Sequence, residues 1–330
     1  MQFITLDRIK IKANNKYLLD QQIKFNKDYD HRSGMLKGEY YSSKADGDVP
    51  YNLFIATSKT KQTLTLEFSS KVLQEDYPKL ISKETIGDCL ERINQLGICQ
   101  IDTQGILQTG CITSMDVTTD VDLDLTSQVL DTLNERVGNY RRYKWEHYEN
   151  EGIAFSRDVK SRDCKETLIL YNKEKELQRH DNLPFLNSIP NKHQMLDYFK
   201  GKTRFELSLD TPRKIKRYTD VEDTYIKDVL NTKANPLLEV FNSVFGNVEA
   251  CTPFKPQDYD TLTMDLLLAQ YHNDLKQIEQ TLRGVFKSRS GLTKRMNKIQ
   301  GYLEGKRAST DKQMNTLQDI RDLLAECINT

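Results

Sequence analysis

The sequence lacks several features that would assign a function directly. Its 48 basic and 48 acidic residues cancel to a formal charge of zero, so any surface for nucleic acid must come from local segregation of charge. No apolar run approaches the length that spans a bilayer, and we expect no membrane partner. The polar start of the chain shows no secretory signal, which indicates a cytoplasmic protein.

Cysteine and histidine are few, and their spacing does not fit a metal site. The six cysteines form no CxxC pair and no zinc-like pattern, so we expect free thiols in a reducing cytosol. The five histidines are scattered, and none forms a pair separated by one hydrophobic residue.

The composition is typical of a folded soluble protein. With 37 % hydrophobic and 29 % charged residues over 330 positions, the chain can form one large domain or two smaller ones. Strands and helices mix without regular βα alternation, which predicts an α+β fold: an antiparallel sheet with helices packed on one face. We predict this domain over residues 1–212 and a helical C-terminal region over 213–330, with a soft boundary between 212 and 250. The helices expected there are 214–231, 235–245, 261–286, 292–304 and 310–328.

Three segments alternate polar and apolar residues, as half-buried strands do. They are CITSMDVTTDV (Cys111–Val121), TLILYNKEKEL (Thr167–Leu177) and TRFELSL (Thr203–Leu209). Their predicted polar faces are Ser114, Asp116, Thr118 and Asp120; Thr167, Ile169, Tyr171 and Lys173; and Arg204, Glu206 and Ser208. If these strands are neighbours, an aspartate, a tyrosine, a lysine, an arginine and a glutamate converge above one sheet.

In this order, the segments resemble the replication initiators of filamentous phages (the gene II and gene X proteins) and the related plasmid rolling-circle initiators. The resemblance rests on three patterns: Thr113 to Asp116; Tyr171, Lys173, Glu176 and Leu177; and Arg204, Phe205 and Glu206. A weaker likeness is EFSSKVLQ over residues 67–74. Many members carry arginine just before the aspartate, where this chain has Met115. The resemblance covers roughly residues 60 to 210, and more loosely the N-terminal strands.

The resemblance implies a rolling-circle nickase core, and it assigns the nucleophile to Tyr171. Such proteins nick one strand of an origin, become joined through tyrosine to the 5′ phosphate and leave a free 3′ hydroxyl. A phenol is mostly protonated at neutral pH, and Lys173 would favour the phenolate. Arg204 would bind a phosphate through two hydrogen bonds.

The resemblance also implies a divalent cation that polarises the scissile phosphate. Oxygen ligands suit Mg²⁺ or Mn²⁺, and Asp116 and Glu206 are the expected ligands, with Asp120 a weaker candidate. Related nickases with a histidine–hydrophobic–histidine motif do not match, so a carboxylate-only or single-histidine site is implied. His180 is the histidine nearest to Tyr171 in sequence.

Each of these residues also has an ordinary structural interpretation. A strand tyrosine usually packs across strands, and Arg204 and Glu206 have the spacing of a surface pair. Asp116 could end a strand or cap a turn. Glu176 is equally well explained as a solvated charge, and it is not counted among the catalytic residues.

Two further stretches combine features of DNA-binding surfaces. YRRYKWEHY (Tyr140–Tyr148) interleaves cations with aromatic rings, which suits single-stranded DNA, and it contributes Arg141, Arg142 and Trp145. The span from Arg283 to Lys312 is rich in basic residues and contributes Lys294, Arg295 and Lys298. A hairpin with core rings and a solvated helical face are the respective alternatives.

We therefore predict a metal-dependent nickase and strand transferase that starts rolling-circle replication of a phage or plasmid in the bacterial cytoplasm. Its partner would be DNA as a single-stranded or hairpin origin, and a host helicase or polymerase is a further candidate partner. Two alternatives stay open. One is a mobilisation relaxase or transposition enzyme with the same chemistry, and the other is a DNA-binding regulator that does not cut.

Overall fold

The protein is described by a computed structural model covering residues 4–47, 49–135, 137, 143–148, 151–157, 159, 166–246, 256–308 and 311–329. Its strands are β1 (Leu6–Asn14), β2 (Leu18–Gln21), β3 (Asn26–Tyr29), β4 (Leu36–Ser42), β5 (Leu53–Ser58), β6 (Thr63–Ser69), β7 (Cys99–Ile101), β8 (Cys111–Val121), β9 (Tyr143–Tyr148), β10 (Gly152–Arg157), β11 (Thr167–Asn172) and β12 (Thr203–Leu209). Ten of them form one sheet in the order β3-β4-β5-β6-β1-β8-β12-β11-β10-β9, and β2 pairs with β7.

Every neighbouring pair in the large sheet is antiparallel. The helices are α1 (Ser43–Asp46), α2 (Ile86–Gln95), α3 (Thr103–Thr109), α4 (Ser127–Glu135), α5 (Lys173–Leu177), α6 (Leu183–Ser188), α7 (Lys192–Phe199), α8 (Pro212–Thr219), α9 (Ile226–Leu230), α10 (Pro236–Phe245), α11 (Tyr259–Gln270), α12 (Leu275–Arg283), α13 (Arg289–Ala308) and α14 (Asp311–Asn329). The predicted α+β class, with an antiparallel sheet and a helical C-terminal region, is confirmed.

Two of the three predicted strands have the observed bounds, and the third is shorter. β8 and β12 match the prediction residue for residue. The segment Thr167–Leu177 leaves the sheet after Asn172, because the Asn172 side chain accepts a hydrogen bond from the amide of Lys175 and caps α5. Lys173 is therefore the first residue of a helix and not a strand residue beside Tyr171.

The three strands are neighbours, in the order β8-β12-β11. Arg204 of β12 lies opposite Asp120 on one side and Tyr171 on the other. Glu206 lies opposite Thr118, and Ser208 lies opposite Asp116. The period of two therefore places the predicted polar residues of these strands on one face of the sheet.

A β-bulge lies in β1, the second neighbour of β8 in the sheet. Leu6 pairs with Val117 and Arg8 pairs with Asp116, so β1 contains one extra residue, Asp7, at this point. Such a bulge re-aims side chains. Asp7 and Arg8 consequently both contact residues of the polar face, namely Arg204 and Asp116.

The apolar face of the sheet carries the main core. Phe205 of β12 packs against Phe241 of α10, and α8, α9, α10 and α14 all contact β8. Part of the polar face is covered by a 3₁₀ segment, Ser70–Lys79, and by α7. The rings of Tyr77, from the 3₁₀ segment, and Phe199, from α7, lie over the Arg204 guanidinium. Helical segments thus lie on both faces near this point.

The helices α11, α12 and α13 enclose a second, smaller apolar cluster. The predicted single helix 261–286 is divided between α11 and α12, because Asp274 caps a new helix after His272 and Asn273, both with positive φ. The domain division at residue 212 stays a prediction. Among the described residues, no helix combines the length and apolar character needed to cross a membrane.

Candidate active site

Tyr171 and Glu206 are directly connected on the polar face. The Tyr171 hydroxyl donates a hydrogen bond to Glu206 Oε2 at 3.1 Å. Tyr171 and Glu206 are both partly buried, so neither residue is fully enclosed in the core. The cross-strand register explains the contact, because Tyr171 lies opposite Arg204 and Glu206 is two residues further along the same face.

Arg204 is the centre of a buried network. Its residue is 0 % exposed, and Nε and Nη2 donate to the two carboxylate oxygens of Asp120, each at 2.7 Å. The remaining nitrogen, Nη1, donates to Asp7 Oδ1 at 3.1 Å and to the Tyr77 hydroxyl at 2.7 Å. A guanidinium held in this way organises the strands around it, and an incoming phosphate has no direct access to it.

Lys173 is a second buried cation. It is 1 % exposed, and its Nζ lies 2.5 Å from Glu176 Oε2. The same Nζ lies 5.4 Å from the ring centroids of both Tyr171 and Tyr77. Glu176 also accepts a hydrogen bond from Asn182 at 2.7 Å. Glu176 is thus the partner of a buried lysine and not a solvated charge.

Asp116 lies on the same face as Glu206 and is held by Arg8. Arg8 Nε and Nη2 donate to its two carboxylate oxygens at 2.7 and 3.0 Å. The other Arg8 nitrogen, Nη1, donates to Glu67 Oε1 at 3.0 Å. Asp116 is diagonal to Glu206 across β8 and β12, a spacing at which long side chains interact.

The electrostatics separate the acids of this site into two kinds. Burial, together with the negative charges of Asp7 and Asp116, raises the pKa of Glu206 to about 7. Burial acts in the same direction on Asp7, but the positive charges of Arg204 and Lys173 lower the pKa of Asp7 to about 2. Asp7 is therefore a permanent partner of Arg204, whereas Glu206 exchanges its proton near neutral pH.

The Tyr171 phenol is harder to ionise than a free tyrosine. Burial and the negative charge of Glu206 raise the pKa of Tyr171 well above its ordinary value. A phenol with a raised pKa can attack a phosphodiester only if a base takes its proton. Glu206, which already accepts the phenol hydrogen, has the geometry for that role.

The two acids expected to bind a divalent cation, Asp116 and Glu206, both lie on this face. Within the described part of the chain, no group of three or more His, Cys, Asp and Glu side chains is arranged to hold a metal ion. Glu206 forms no ion pair with any described residue, whereas both oxygens of Asp116 bind Arg8. Two carboxylates fit Mg²⁺, which usually completes its shell with water and phosphate oxygens.

The predicted DNA-binding residues have different surroundings. Arg141 and Arg142 lie outside the described residues. Trp145 is partly buried and packs against both apolar clusters. On α13, Arg295 and Lys298 both form ion pairs with Asp260 of α11, and Lys294 is exposed.

The sequence patterns did not identify four residues of the site. They are Asp7, Arg8, Lys71 and Tyr77. The likeness noted for residues 67–74 was a partial signal, because Glu67, Ser70 and Lys71 all contact the network or its neighbours. No pattern connected β1 to the site, since its bulge is a property of strand pairing.

Residues 75–227 match the family described as the N-terminal part of the gene II replication-associated protein of phages. The resemblance to the gene II-type phage initiators is thereby confirmed for this segment. The gene II-type segment contains Asp116, Asp120, Tyr171, Arg204 and Glu206. It begins after β1 and ends before α10, so Asp7 and Arg8 are contributed from outside it. No curated protein matches the chain.

Proposed function

We propose that this chain initiates rolling-circle replication by nicking one DNA strand, with Tyr171 as nucleophile. The contact that carries the proposal is the hydrogen bond from the Tyr171 hydroxyl to Glu206, on the polar face of the gene II-type segment. A tyrosine with an attached base and partial exposure has the two properties that in-line attack on a phosphodiester requires.

The reaction would be a transesterification. The Tyr171 oxygen attacks the scissile phosphorus, and the phenol proton passes to Glu206. The bond from phosphorus to the 3′ oxygen breaks, and the departing oxygen takes up a proton to leave a 3′ hydroxyl. The product is a 5′-phosphotyrosine, which a 3′ hydroxyl can attack later to rejoin the strand and restore the phenol.

The two buried cations, Lys173 and Arg204, would support Tyr171 without contacting the phosphate. Lys173, close to the ring, favours negative charge on the phenol oxygen as the proton leaves. Arg204 would be a positioning residue, because Asp120, Asp7 and Tyr77 occupy its nitrogens. This role differs from the direct phosphate contact expected from the sequence.

Asp116 and Glu206 would hold Mg²⁺ or Mn²⁺ during the reaction. Such an ion supplies Lewis-acid stabilisation of the charge that develops on the phosphate. Glu206 Oε1 and the Asp116 carboxylate are the oxygens available for it, and Arg8 would share Asp116 with the ion. DNA is the partner that this chemistry requires. A host polymerase would extend the 3′ end, and a host helicase would unwind the duplex ahead of it.

A covalent-adduct assay tests this function. The protein is mixed with a labelled pool of random single-stranded DNA and Mg²⁺ or Mn²⁺, and adducts that survive detergent are separated on a gel. Wild type and Tyr148→Phe, a matched change in an exposed tyrosine of β9, should form an adduct that maps to Tyr171. Tyr171→Phe should form none. An adduct with Tyr171→Phe, or none with wild type, overturns the proposal.

Metal binding has its own readout. The Tyr171→Phe protein, which cannot cut, is titrated with Mn²⁺ and the free ion is followed by electron paramagnetic resonance. Asp116→Asn and Glu206→Gln should each weaken binding about tenfold or more, as loss of one of two carboxylates implies. Asp122→Asn, just beyond the end of β8, is the matched control. Unchanged Mn²⁺ affinity in both site variants excludes this pair as ligands.

A further inference from the structure

A wide cleft lies between strand β9 and the helices α12 and α13. Its volume is about 870 Å³. It is lined by Lys144 of β9, by Lys276 and Arg283 of α12, and by Arg289 at the start of α13. The cleft is separate from the polar face that carries Tyr171.

The lining of the cleft is strongly cationic in a chain whose net charge is zero. Among the described residues that line it, four are basic and one, Glu279, is acidic. Glu279 lies 3.5 Å from Arg283 and neutralises at most that residue. Lys276 and Arg289 have no side-chain partner among the described residues. This segregation of charge creates a local site for anions.

Two apolar residues, Phe286 and Leu292, also line the cleft, and we call them its apolar floor. Leu292 is buried in the cluster of α11–α13, and the partly buried Phe286 packs against the same cluster from the turn between α12 and α13. A ring and an aliphatic side chain thus line the same cleft as the basic side chains. Groups with this arrangement offer phosphates an ion pair and bases a surface on which to stack.

We propose that this cleft binds a single strand of DNA, with its phosphates on Lys144, Lys276 and Arg289 and a base over Phe286. A duplex would leave the apolar floor unused, because its base faces are already stacked within the helix. The proposal rests on the proposed function in that DNA is the substrate. The cleft would hold a strand apart from the nicking site.

The residues of the cleft differ from those that the basic sequence run had indicated. Arg295 and Lys298 of α13 face α11, where Asp260 pairs with both. The cleft instead uses Arg283 and Arg289 from the first part of that run, together with Lys144 and Lys276. Two of the cations indicated by the sequence are thus paired inside the helical cluster and do not line the cleft.

Binding is tested in the non-cutting Tyr171→Phe protein, so the readout does not depend on catalysis. A fluorescein-labelled oligothymidylate is titrated at several salt concentrations, with a duplex of equal length in parallel. Lys276→Gln with Arg289→Gln should remove about two phosphate contacts, which lowers the salt slope by about 1.4 and weakens binding roughly 20-fold at ~0.1 M salt. Lys59→Gln with Lys61→Gln, in the turn between β5 and β6, makes the same charge change elsewhere.

A second variant tests the apolar floor. Phe286→Leu keeps an apolar residue but removes the ring, and it should weaken oligothymidylate binding several-fold without changing the salt slope. Equal losses in the cleft and control variants, or equal affinity for duplex and single strand, overturn the proposal. If wild type forms no covalent adduct but the cleft variants still lose affinity for the single strand, the nicking proposal is refuted and the cleft proposal is supported.

Discussion

Arg204 and Asp120 are joined side by side across β12 and β8 by two parallel hydrogen bonds of 2.7 Å each. Arg204 is fully buried, and it also donates to Asp7 and Tyr77. A buried guanidinium is tolerated only where its nitrogens are satisfied and its charge is compensated. The pair therefore fixes the position of β12, and with it the position of Glu206 relative to Tyr171.

Removing the charge of Asp120 should destabilise the protein strongly. Asp120→Asn leaves the Arg204 charge with less compensation, and such losses cost about 3–5 kcal/mol. Asp122→Asn is the matched control, because Asp122 pairs with Lys202 but its side chain is 83 % exposed; its cost should be at most about 1 kcal/mol. Urea unfolding at neutral pH measures both, and a similar loss in the two variants would contradict the central role of the pair.

The stability that Asp7 contributes should disappear in acid. The pKa of Asp7 is lowered to about 2 in the folded protein, so its contribution is present above about pH 4 and is lost as the pH falls through 2. Asp7→Asn should therefore cost about 2 kcal/mol at about pH 7 and about half as much near pH 3. Chemical denaturation at both pH values, with the exposed Asp20→Asn as control, checks this. A pH-independent difference between wild type and Asp7→Asn would refute it.

Glu206 should have the opposite dependence. Its pKa in the folded protein is about 7, above the ordinary carboxyl value, so its protonated form stabilises the fold at low pH and that stability is lost as the pH rises through 7. Glu206→Gln stays neutral. The melting temperature of the variant minus that of wild type should therefore increase by several degrees as the pH rises from about 5 to about 8 in metal-free buffer. Glu222→Gln, an exposed loop change, should show no such trend.

The ion pair with Glu176 should stabilise the burial of Lys173. Glu176→Gln leaves a buried ammonium without its carboxylate, which should cost about 3–5 kcal/mol. Glu174→Gln alters the same first turn of α5 without touching Lys173, and it should cost less than about 1 kcal/mol. Urea unfolding measures both costs. Equal stability of the two variants would show that Lys173 is solvated in solution.

The sequence predicted the strands of the site well where alternation alone decides the outcome. β8 and β12 have the predicted bounds because each alternates polar and apolar residues along its length. The convergence of Asp116, Tyr171 and Glu206 on one face follows from the same period, once the strands are neighbours.

The parts that sequence could not supply depend on competition between local and distant interactions. The alternation of β11 continues in the sequence past Asn172, but a side-chain cap starts a helix there and moves Lys173 off the strand. Asp7 reaches Arg204 through a bulge, and pairing of β1 with β8 joins segments that lie far apart along the chain. No local pattern encodes that register.

The position of β1 has a consequence for how the protein is made. The first strand of the chain lies between β6 and β8, near the middle of the ten-stranded sheet. During synthesis β1 has no partner strand until β6 (residues 63–69) and then β8 (residues 111–121) have been made. A translation product started downstream of β1 would have two open edges where one strand is missing. A shortened form that begins within the sheet, after β1, should therefore be less stable than the full chain.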